Sequence, residues 1–176
     1  MLEFNNEQPN IAEEYERLKF DYRYYLVSEL KLSDKTVLSY IGDIEKYFSY
    51  LTIRKIPKIE ETQLDDVRKY INTLKRKNLK SSTISHNITS IKSFYKFLVL
   101  EKRIKNNFTK SLDTPKIEKK LPSVLSQEEI HLLLDNFIIN SFHDYRTIAM
   151  LEVMYSCGLR ISEVLDLKIS DLHLST

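Results

Sequence analysis

Residues 81–112 read SSTISHNITSIKSFYKFLVLEKRIKNNFTKSL, and the first twenty of them decide the fold class. Ile84, Ile88, Ile91, Tyr95 and Leu98 recur at steps of three and four, which lines them up on one stripe of an α-helix and departs from the two-residue alternation of a strand. Ser81 or Ser82 supplies a cap, because a short hydroxyl side chain accepts from the free N–H groups of a first turn. On the opposite side stand Ser82, His86, Thr89, Ser93 and Lys96, small and mostly neutral hydrogen-bonding groups. A face with no task beyond solvation more often carries Glu and Lys.

The same period runs upstream. Ile11 to Glu29 reads as a helix with Tyr15, Leu18, Tyr22, Tyr25 and Leu26 facing inward. Ser33 and Asp34 cap a second, whose stripe is Val37, Tyr40, Ile41, Ile44, Phe48 and Leu51, with Lys35, Ser39 and Asp43 on its polar side. After the loop at Pro57, Thr62 is the expected cap of a third helix with Leu64, Val67, Tyr70, Ile71 and Leu74 inside, ended by the basic run Lys75, Arg76, Lys77 and Lys80. Downstream, periodicity stops from Lys102 to Pro122, and this stretch reads as a linker. Ser126 and Glu129 form a capping box for a helix through Ile130, Leu133, Leu134 and Phe137. Asp144 is the expected cap of the next, with Ile148, Leu151, Met154 and Tyr155, closed by Gly158 in the left-handed conformation. Ser162 opens a short last helix, and the alternation from Asp171 to Thr176 hints at a strand. The expectation is an all-α chain in three parts: a helical domain over 13–104, a linker over 105–121 and the start of a second domain over 122–176.

Composition narrows the function classes. With 2 Gly and 4 Pro in 176 residues, the chain is poor in the turn residues that a strand-rich fold needs. Cys157 is the single cysteine, so no internal disulfide forms, and no apolar run nears the roughly 20 residues that span a bilayer. The start lacks the pattern of a secretory leader, which makes the cytoplasm the default compartment. The net charge of +2 conceals an asymmetry: residues 75–120 hold 13 Lys/Arg against 3 Asp/Glu, whereas both flanks are acidic. A cationic block of this kind favours a polyanion, because each phosphate it neutralises releases condensed counterions.

Residues 149–172, AMLEVMYSCGLRISEVLDLKISDL, resemble the first arginine motif of the tyrosine recombinases, the phage integrase family in its Xer-type branch. The resemblance takes in LPSVLSQEEIHLLL (121–134), DYRTIAMLEV (144–153), SDKTVLSYIGDIEKYFSYL (33–51) and residues 81–112. It implies a SAM-like helical core-binding domain followed by the helical beginning of a catalytic domain. It further implies double-stranded DNA as partner, a recombinase tetramer on two DNA sites, and chemistry that needs no metal or cofactor. In such enzymes a tyrosine attacks the scissile phosphate, and a guanidinium holds the nonbridging oxygens on which charge builds. The resemblance assigns that role to Arg160, with Glu163 orienting it. It also makes Lys35, Thr36 and Tyr40 of the second helix DNA-contact candidates, with Lys80, Ser81, Ser82, Thr83, His86 and Lys92 around the fourth.

The family's hairpin lysine, His-x-x-Arg, later His or Trp and tyrosine nucleophile all lie beyond the first arginine, and 16 residues follow Arg160 here. His143-Asp-Tyr-Arg146 has the spacing of His-x-x-Arg but precedes Arg160, so it reads as an ordinary helix start. The expectation is a truncated recombinase that keeps DNA binding and lacks catalysis. The alternative is a non-catalytic DNA-binding module that occupies recombination sites or modulates a full-length recombinase.

Overall fold

Helices occupy the places that periodicity assigned in a computed structural model that describes residues 11–56, 58–116 and 123–171. The chain divides into two units, residues 1–119 and 120–176. The first holds α1 (Ile11–Ser28), α2 (Asp34–Ile53), α3 (Leu64–Arg76) and α4 (Ser81–Leu100), with α4 packed against the other three. The inward residues expected of α1, Tyr15, Leu18, Tyr22, Tyr25 and Leu26, are all buried.

α4 buries more than its expected stripe: Asn87, Ser90, Phe94 and Phe97 are inside as well. A helix packed on several sides hides a wider arc than a surface helix with one apolar face, and no single stripe describes it. Phe94 meets Tyr22 edge to face at 5.1 Å and Phe48 at 5.3 Å. Such pairing adds about 1 kcal/mol to the burial of each ring.

Buried tyrosine hydroxyls are joined in a chain. Thr62 Oγ1 donates to the Ile59 carbonyl at 2.6 Å, which uses its one proton, so Tyr95 Oη donates to Thr62 and Tyr47 Oη donates to Tyr95, at 2.6 and 2.8 Å. Desolvation pushes the Tyr95 hydroxyl up to about 12 and raises that of Tyr47 well above its ordinary value. Thr62 is therefore no helix cap. Gln63 takes that position, its N–H donating to Asp66 Oδ2 at 3.0 Å, while Thr62 serves the core.

Two differences from expectation follow from tertiary packing. Asp43, assigned to the polar side of α2, is 4% exposed. The stretch expected as linker is partly structured: a 3-10 turn at Phe108–Ser111 packs Phe108 on Tyr95 at 4.8 Å and buries Thr109 and Leu112. Helices α2 and α4 close on Lys55 (φ 55°) and Lys102 (φ 57°), left-handed positions where glycine is usual. The bonds Ile56 N–H to Leu51 C=O and Arg103 N–H to Leu98 C=O complete both closures, so lysine is accommodated where few glycines exist.

The second unit holds α5 (Gln127–Asp135), α6 (Phe142–Cys157) and α7 (Ile161–Asp166). The Ser126–Glu129 capping box forms as expected, and Gly158 takes φ 65°. Ser141, not Asp144, is the N-cap of α6, and Asp144 Oδ2 instead accepts from the N–H groups of Asn140 and Ser141. α7 starts one residue earlier than Ser162 requires, with Arg160 at the cap position. Val164 is the one buried apolar side chain among the described residues of this unit. The strand hinted at over 171–176 lies, after Asp171, outside the described residues.

Candidate nucleic-acid interface

Two sets of sequence-predicted contacts, one on α2 and one on α4, come together. Ser39 Oγ of α2 lies 2.7 Å from His86 Nε2 of α4, and the Tyr40 ring stands edge-on to the His86 ring at 5.6 Å. Lys35 is exposed one turn before Ser39, and Thr36 is half-buried with its hydroxyl 2.9 Å from that of Ser33. Lys80, Ser81, Ser82 and Thr83 are exposed at the start of α4, where free N–H groups and the helix dipole favour anions. None of these hydroxyls caps the helix; Lys80 occupies the N-cap without a side-chain bond.

Beneath this surface lies Asp43. Its Oδ2 accepts from Ser90 Oγ at 2.9 Å and sits 3.5 Å from His86 Nε2, while Lys46 Nζ approaches Oδ1 at 3.4 Å. Sequence reasoning missed this group because an Asp beside Lys35 and Ser39 on a helical wheel reads as solvated. The available signal was Ser90 of α4, a small polar residue inside an otherwise apolar arc.

Lys92 differs from the other candidates. Its ammonium donates to the Leu112 carbonyl at 2.8 Å, which ties the 3-10 turn back onto α4. That bond engages the charge with the protein's own backbone.

In the second unit, Arg160 and Glu163 form a pair. Glu163 Oε2 accepts from the Arg160 N–H at 2.7 Å and Oε1 from Arg160 Nη1 at 2.9 Å. These two bonds, backbone first, hold the Glu163 carboxyl below its usual value. The guanidinium is 83% exposed, so its remaining donors face solvent. His143 and Arg146 are exposed on the first two turns of α6. Among the described residues no group of three or more His, Cys, Asp or Glu is arranged to hold a metal ion, and no helix is long and apolar enough to cross a membrane.

Residues 21–102 match the family described as Phage integrase, N-terminal SAM-like domain, and residues 123–176 match the Phage integrase family. The chain belongs to this family, the tyrosine recombinases, and within it is of Xer type. It is 37% identical over 155 residues to tyrosine recombinase XerD of Oceanobacillus iheyensis, a match covering 88% of this chain and 52% of the relative. With tyrosine recombinase XerC of Bacillus subtilis it shares 35% identity over 150 residues, 85% of this chain and 49% of that one. The XerD of Chlorobaculum tepidum is 38% identical over 153 residues, 85% and 50% respectively. The chain thus spans about half the length of the curated relatives it matches.

Proposed function

We propose that the first unit grips duplex DNA as the core-binding domain of a site-specific tyrosine recombinase, with residues 13–104 as the domain proper. The single observation that carries this reading is the convergence of α2 and α4 at the Ser39–His86 contact, which gathers the candidates Lys35, Thr36, Tyr40, Ser82 and His86 onto neighbouring helices. The four exposed residues from Lys80 to Thr83 stand where phosphates are gripped, and the outward stripe of α4 is where base edges are read. Lys92 contributes by anchoring Leu112, which sets where the chain leaves this unit.

Arg160, oriented by Glu163, is the group for the scissile phosphate: a permanently charged fork suited to two nonbridging oxygens, with one edge already fixed by the carboxylate. No tyrosine follows it within these 176 residues. The role proposed for these residues is to bind DNA, with the cutting nucleophile supplied elsewhere. In an assembled recombinase they supply positioning and one electrostatic group, with a tetramer on two duplexes as the working form.

The test is fluorescence anisotropy of the chain with labelled duplex across salt concentrations, paired with a strand-cleavage assay on a nicked substrate. Steeply salt-dependent binding without a covalent protein–DNA product is expected. Replacing Lys80 by Met is expected to lower the log–log salt slope by about 0.9, the share of one phosphate contact. Binding that ignores salt would overturn the reading.

A further inference from the structure

We infer that Asp43 and His86 form a base-reading pair: Asp43, with Ser39, fixes which ring nitrogen of His86 carries the proton, so that His86 presents an acceptor to adenine or cytosine in the major groove. This rests on the reading of the α2–α4 surface as a DNA-binding face and goes further, to which bases it selects.

A carboxylate at 4% exposure is costly to bury, and the contact between α2 and α4 does not need it, since Val37, Ile41 and Ile44 already fill the α2 side of the core without desolvating a charge. What it faces is specific. Ser90 Oγ lies 2.9 Å from Asp43 Oδ2 and 3.2 Å from the His86 carbonyl; the shorter, charged acceptor takes the proton. Lys46 touches the other oxygen from the solvent side at 3.4 Å. On the same side as Ser90 stands His86 Nε2, 3.5 Å from Oδ2 and 2.7 Å from Ser39 Oγ, while the buried hydroxyls of Tyr22 and Tyr70 lie within the field of the carboxylate.

Nε2 has two possible states in the neutral ring. Without a proton, its lone pair would be turned toward an anion, a repulsive arrangement in a site of low dielectric. With a proton, it donates to Ser39 Oγ and lies in the field of the carboxylate beyond. Asp43 thus selects the Nε2–H form, and the other nitrogen, Nδ1, is left as an acceptor. Nδ1 has no hydrogen bond among the described residues, the side chain is 43% exposed, and the Tyr40 ring packed at 71° restricts the tilt of the imidazole. In the major groove adenine N6 and cytosine N4 are donors, whereas guanine offers O6 and N7 and thymine offers O4 and a methyl group. An acceptor on this face therefore favours adenine or cytosine.

Asp43→Asn tests the polarity. The amide keeps the shape of the carboxylate; with its Oδ1 toward Lys46 and the Ser90 hydroxyl turned to the His86 carbonyl, its Nδ2 donates to Nε2, which moves the ring proton to Nδ1 and makes that nitrogen a donor suited to guanine. The experiment selects duplexes with a randomised segment on the 176-residue chain at pH 8 and sequences those that bind. Wild type is expected to enrich adenine or cytosine at one position by about fivefold, the worth of one hydrogen bond. His86→Ala is expected to flatten that position, and Asp43→Asn to shift it to guanine. A flat or guanine-favouring wild-type profile, an unchanged profile in His86→Ala, or retained adenine/cytosine preference in folded Asp43→Asn overturns the pair. Should Asp43→Asn lose its helical circular dichroism, His86→Ala decides alone, since an exposed ring leaves the core intact. Loss of all salt-dependent binding by wild type would instead sink the DNA-binding reading on which the pair rests.

Discussion

Among the described residues of 11–116, twenty-four apolar side chains gather into one buried cluster, whereas Val164 alone is buried among those of 123–171. The helix ends lean the other way. α5, α6 and α7 each begin with an acidic side chain returned to the backbone N–H of the N-cap residue, as Glu129, Asp144 and Glu163 do. α2 and α4 start without any side-chain cap bond. A cap contributes about 1 kcal/mol, and burying one Leu or Ile contributes roughly 1.5–3 kcal/mol, so a helix supplied with several buried side chains stands without a cap. The comparison separates two means of making a helix: α2 and α4 stand on burial alone, α3 adds the same acidic return through Asp66, and in the second unit every helix carries it while burial is slight.

The largest expected difference is in amide hydrogen exchange. Amides of Ile88 to Leu98 exchange only through opening of a full core, whereas those of α5 to α7 open locally, so protection is expected to differ roughly a thousandfold. Equal protection in the two regions would break the comparison.

A pair of truncations sharpens it. Ile91 is fully buried, and Ile91→Ala is expected to cost about 3 kcal/mol in urea unfolding followed by circular dichroism, through lost transfer energy and the cavity left behind. Leu132 lies at an exposed position of α5, and Leu132→Ala is expected to stay within about 0.5 kcal/mol.

The two regions are also expected to fail at opposite ends of the pH scale. Burial raises the Tyr95 hydroxyl from 10.0 to about 12. An unfolded chain therefore releases this proton first, so the stability it contributes is present below pH 10 and is lost as pH rises toward 12. The Tyr95 phenolate, followed through its own ring signals by NMR, is expected to form together with loss of α1–α4 helicity, and a Tyr95 phenolate that precedes unfolding would contradict this.

The smallest effect lies at the acid end. Backbone N–H donation lowers the carboxyls of Glu163 and Asp144 from 4.5 and 3.8. Their contribution is present above those ordinary values and is lost as pH falls through the lower folded ones. Carboxyl titration by NMR is expected to place both midpoints below 4.5 and 3.8, with fraying of α6 and α7 as they protonate. Midpoints at the ordinary values would mean that the caps do not form in solution.

Much of this was legible in the chain. The five inward residues of α1, the Ser126–Glu129 box and the left-handed Gly158 are local matters, set by spacing and backbone geometry within one turn. The Arg160–Glu163 pair was legible too, because three residues apart on a helix start is within side-chain reach.

What the amino-acid order determined by itself was the helical class, the helix positions, the family and the basic block that points to a polyanion. Only tertiary structure decided that Asp43 is buried, that Thr62 serves a tyrosine chain, that Lys92 holds Leu112 and that His86 lies against Ser39. Each of these contacts joins residues between 20 and 47 positions apart, well beyond the reach of a helical period, and which polar group a second helix covers depends on how the helices pack.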